Sequence, residues 1–64
     1  MNAKKRARCL RALERRSRDI VLYREHVARA QQEGLEKTEK LLQDLLGKAV
    51  FECDRLRAKL GVGP

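Results

Sequence analysis

The chain is 64 residues long and carries sixteen Lys and Arg against nine Asp and Glu, a net charge of +7. That length admits one small domain at most. Aromatic residues make up 3% of it, Trp is absent, Pro stands only at position 64, and Ser and Thr occur once each, a composition poor in β-formers and turn signals and rich in helix formers.

The first predicted helix covers residues 3–32 or so. Within it Cys9, Leu13, Arg16, Ile20, Tyr23, Val27 and Ala30 alternate in steps of four and three, which keeps one stripe of side chains on one face. The longest apolar run of the chain, Ile20-Val21-Leu22-Tyr23, also lies here and is far too short to span a membrane. A turn follows at about 32–34, around Gly34, because glycine has low helix propensity and suits helix ends. The turn holds no Ser, Thr, Asp or Asn to cap the next helix, so Gly34 itself is expected to serve.

The second predicted helix covers about 35–60. Leu35, Glu39, Leu42, Leu46, Ala49, Cys53, Leu56 and Leu60 repeat the same alternation. Gly61, Gly63 and Pro64 form a stop signal in a tail at 61–64. From Ala30 to Leu35 is a jump of five, which rotates the stripe by about 140° net. One straight helix therefore cannot hold both stripes against the same partner.

Folding the chain back on itself at Gly34 pairs positions that sum to 69: Cys9/Leu60, Leu13/Leu56, Arg16/Cys53, Ile20/Ala49, Tyr23/Leu46, Val27/Leu42 and Ala30/Glu39. One register satisfies both helices, and that consistency favours an all-α antiparallel two-helix hairpin, coiled-coil-like. The rival is a long kinked helix of roughly 85 Å in a parallel coiled-coil dimer. A like-charged flanking pair, Asp19/Glu52, counts against the hairpin. The same register separates Cys9 from Cys53 by roughly 10 Å, beyond the reach of a disulfide. Two reduced thiols and no secretory segment lead to the expectation of a reducing compartment, cytoplasm or nucleus.

Charge is concentrated at the start. Residues 1–18 hold Lys4, Lys5, Arg6, Arg8, Arg11, Arg15, Arg16 and Arg18 against one acid, Glu14, while residues 19–64 hold eight of each sign. Lys4, Arg8, Arg11, Arg15 and Arg18 fall in one stripe on the face opposite the seam, spanning roughly 21 Å. Glu14–Arg18 and Arg15–Asp19 offset part of the repulsion along it. Arg outnumbers Lys, which favours forked contacts to phosphate. The nucleic-acid or anion site expected from this is Lys4, Lys5, Arg8, Arg11, Arg15 and Arg18, with RNA or DNA as partner. No aromatic residue lies among these, so base stacking is not part of the expectation. An acidic protein surface is the competing target. From Lys4 to Arg18 the composition resembles arginine-rich helical motifs, which implies contact with structured RNA. The basic, Leu-punctuated start also looks like an organellar transit segment, and Lys4-Lys5-Arg6 like part of a nuclear signal.

Apolar residues are left over once the seam is filled. Val21, Leu22, Leu41 and Phe51 lie off it, and Leu10, Leu45 and Val50 flank it. A hairpin has one interhelical seam, and burying each leftover side chain would be worth about 1.5–3 kcal/mol. A lone core in so short a chain contributes almost nothing net against roughly 1.5 kcal/mol of ordering cost per residue. These seven residues are thus the expected oligomer or partner interface, in a homodimeric four-helix bundle or on a larger protein. Gly47, one turn before Phe51, leaves room for another backbone to approach. Helix number, length and topology resemble the ROP-type antiparallel hairpin, a likeness that implies dimerisation and RNA binding.

No Ser-His-Asp or Cys-His arrangement can be assembled, and His26 stands alone, a poor metal site. The expectation is a module without catalysis, cofactor, metal or small-molecule substrate: a nucleic-acid binder first, and alternatively an adaptor or a regulator acting by helix-in-groove contact.

Overall fold

A computed structural model describes residues 2–61. Two helices pack against each other, α1 (Ala3–Glu33) and α2 (Glu36–Leu60). The molecule measures 47 × 16 × 15 Å. A 31-residue helix rises about 46 Å at 1.5 Å per residue, so α1 alone accounts for the long axis and α2 returns alongside it. The extended rival, roughly 85 Å long, is thereby excluded.

α1 begins at Asn2, whose side-chain oxygen accepts the Lys5 N–H at 2.8 Å and so satisfies one of the unpaired donors of the first turn. It ends in a Schellman motif. Gly34 takes φ 69°, its N–H donates to the Gln31 carbonyl at 3.2 Å, and the Leu35 N–H reaches back to the Ala30 carbonyl at 2.9 Å. Glycine adopts that left-handed conformation without a Cβ penalty.

The sequence places the turn at about 32–34 and makes Gly34 the cap of the second helix; the structure corrects both. The Schellman bonds carry α1 on to Glu33, and Leu35 is the residue from which α2 starts, its carbonyl accepting the Glu39 N–H at 2.8 Å. Leu35 makes no side-chain cap bond. Glu36 and Glu39 sit in the first turn of α2 and Arg57 and Lys59 in its last, where their charges favour the helix ends they occupy. Gly61, at φ 72°, closes α2 by donating to the Ala58 carbonyl at 3.2 Å. The rest of the stop signal, Gly63 and Pro64, lies outside the described residues.

Most of the expected stripe residues lie between the helices, Arg16 and Leu35 being exposed. Ala30, Ala49, Cys53, Leu56 and Leu60 are buried, and Cys9, Leu13, Ile20, Tyr23, Val27, Leu42 and Leu46 half-buried between the helices. At the turn end Gln31 Nε2 donates to Glu39 Oε1 at 2.8 Å across the interface. Small residues at Ala30 and Ala49 let the backbones come close, which is why these two are among the most buried.

The flanking acids do not confront each other unscreened. Asp19 pairs with Arg16 at 3.5 Å and Glu52 with Arg55 at 3.3 Å, each within its own helix. The sequence offers Arg15 to Asp19; in the structure it is Arg16 that pairs with it. Both cysteines are free.

Candidate nucleic-acid interface

The antiparallel return decides where charge collects. The C-terminal turns of α2 lie beside the N-terminal turns of α1, so Arg55, Arg57 and Lys59 join the eight basic residues of the opening segment. Taken as residues 2–18 with 52–61, this open end holds eleven cations against Glu14, Glu52 and Asp54, a net +8. Residues 19–51, the turn end, hold five cations and six acids, a net −1. The hairpin thus has one strongly basic pole.

Along α1, Lys4, Arg8, Arg11, Arg15 and Arg18 are all exposed, as is Lys5. Among the described residues Lys4, Lys5, Arg8, Arg11 and Arg15 make no ion pair. Arg18 is bonded to Glu14 at 2.7 Å, in the open, where such a pair holds the side chain only weakly. The first turn of α1 contains no acid, so among the described residues no carboxylate pairs with Lys4 or Lys5 beside the positive end of the helix dipole. Arg16 leaves the seam for its pair with Asp19 and stays exposed.

Between the helices at this pole runs a groove of about 540 Å³, lined by Lys5, Arg8, Cys9, Ala12, Leu56 and Lys59. Its floor is apolar and its rim cationic. Lys59 has no ion-pair partner among the described residues, whereas Arg55 is taken by Glu52 and Arg57 by Asp54 at 3.8 Å. The sequence omits Lys59 from the site, although the register that sums to 69 sets it level with Leu10. Counting charge along the chain instead of along the folded hairpin hides it.

In comparison with known proteins, no family model, curated protein or solved structure matches the chain.

The leftover apolar residues form a second, separate feature. Leu10, Val21, Leu22, Leu41, Val50 and Phe51 are exposed, Phe51 most of all at 67%. Leu45 is half-buried and lines, with Arg16, Tyr23, Gly47 and Phe51, a shallow groove of about 670 Å³. Leu35 joins the exposed set at 46%. The sequence places it in the seam, but it precedes the first turn of α2, so the helical stripe does not reach it. No helix among the described residues is long and apolar enough to cross a membrane. Nor does any group of three or more His, Cys, Asp or Glu stand where it could hold a metal ion.

Proposed function

We propose that the protein is a small non-enzymatic binding module whose basic pole engages the phosphate backbone of structured RNA or DNA. What supports this reading is the division of charge into a +8 end and a nearly neutral end, with a ladder of exposed Arg and Lys on the outer face of α1 of which, among the described residues, only Arg18 is in an ion pair. Phosphates along one strand repeat every 7 Å or less, roughly, so a stripe of about 21 Å matches several of them. Recognition is by backbone charge, without aromatic stacking, and electrostatics supplies most of the affinity.

The test is a salt series. With about five phosphates neutralised, log affinity for a labelled duplex falls against log salt with a slope near −4. Replacing Arg11 and Arg15 together by Glu abolishes that binding and leaves the helical signal intact. Absence of binding to any RNA or DNA at low salt removes the reading.

The exposed apolar residues favour self-association of the same module into a four-helix bundle, with an adaptor role on a larger protein as the second reading. Phe51 carries the latter, since an outward aromatic of that exposure has no partner inside the hairpin. If Phe51→Asp abolishes association in cells while Arg11→Glu with Arg15→Glu does not, the adaptor reading prevails.

A further inference from the structure

The basic pole is built by both helices, and the groove between them is the place where stripe and fold meet. Arg8 belongs to the outer ladder of α1 and also to the rim of the groove; Lys5 stands one turn before it, and Lys59 faces them from α2. These three cations surround a floor of Cys9, Ala12 and Leu56. Among the described residues none of the three has a carboxylate partner, and none of those lining the groove is an acid. A rim of one sign around a concave, low-dielectric floor concentrates its field inward.

We propose that this groove seats a phosphodiester of the bound nucleic-acid backbone, with Lys59 of α2 supplying a third cation, so that the second helix contributes a phosphate contact that the basic helix alone lacks. The proposal rests on the nucleic-acid reading above and adds to it the groove, the second helix and a named residue. The occupant is argued from charge complementarity. A phosphodiester brings the single negative charge that the rim lacks. It also brings a sugar whose carbon face can lie on Leu56 and Ala12.

Lys59 has one other role. In the last turn of α2 its charge favours the negative end of the helix dipole. A purely structural lysine would affect folding and leave the salt dependence of binding untouched.

Fluorescence anisotropy with a labelled RNA duplex, and with the DNA duplex of the same sequence, separates the possibilities. The full chain is compared with Lys59→Gln, Lys59→Arg and, at the turn end, Lys37→Gln. Lys37 is exposed and has no ion-pair partner among the described residues, so Lys37→Gln removes the same charge far from the groove. Lys59→Gln is expected to flatten the slope of log affinity against log salt by about one unit. Lys59→Arg restores it, and Lys37→Gln leaves it at the original value. Helical circular dichroism recorded on each variant ties the comparison to folded protein. A slope unchanged in Lys59→Gln, or flattened equally in Lys37→Gln, overturns the groove while leaving the nucleic-acid reading standing. If the unmodified chain binds neither duplex at low salt, that reading fails and the groove falls with it.

Discussion

Cys9 and Cys53 both lie on the seam stripes, yet the fold treats them differently. Cys53 is 1% exposed and Cys9 only half-buried. Cys53 sits mid-seam, covered from both sides, whereas Cys9 lies near the end of α1 and opens onto the groove. Replacing Cys53 by Ser puts a polar hydroxyl at the most buried position of the seam, where only the helix's own carbonyls can accept from it, and a loss of about 1–3 kcal/mol is expected. Cys9→Ser, with water at hand, costs less. Urea denaturation of the two variants checks the order; equal losses would show that the seam does not close around Cys53. The seam residues themselves were readable from sequence because spacing alone fixes the face a helical residue occupies. What spacing could not supply was the choice among neighbouring partners. Asp19 has Arg15 and Arg16 at the two helical spacings that allow a pair, and it makes the one with Arg16.

At the scale of the elements, two glycines are open to test, one at a helix end and one inside a helix. Gly34, at φ 69°, closes α1, and a Cβ there is opposed by its backbone conformation. Gly34→Ala should lower stability by about 1–2 kcal/mol. Gly47 lies inside α2, and a Cβ added to it meets nothing within 4 Å. Gly47→Ala should therefore raise stability by about 0.5–1 kcal/mol. Thermal melts followed by circular dichroism read both signs. A destabilising Gly47→Ala would mean that another backbone comes close at that point in solution. Helix ends were the least readable part of the sequence. Asn2 is a good capping residue standing directly before a helical run, so its signal was there to be taken. Leu35 gave none, because a leucine launching a helix is permitted only by the Schellman bonds of the turn before it.

At the scale of the whole molecule, the seam buries few large side chains, and Leu56 and Leu60 are the only buried leucines among the described residues. Leu41, by contrast, is 60% exposed. In an isolated hairpin Leu56→Ala should cost about 2–5 kcal/mol, and Leu41→Ala should stay within about 0.5 kcal/mol. If the hairpins pair into a bundle through the Leu41 flank, Leu41→Ala becomes expensive as well, and the melting temperature depends on protein concentration. Light scattering on the same samples gives the mass directly. The fold class was legible because the two stripes agree on one register only if the chain turns back. The extent of the basic pole was not, because it depends on which distant residues that reversal brings alongside the first helix.

That reversal has a kinetic consequence. With its excess charge gathered in one half of a 47 Å rod, the molecule feels a torque in the field of a polyanion that swings this half toward it. Fewer collisions are wasted on the wrong side. If the basic pole engages a polyanion as proposed, capture should be faster than for an unsteered rod of the same size, and added electrolyte should slow arrival. The end bearing Gly34 would then lie away from that contact, with exposed Leu35 beside it.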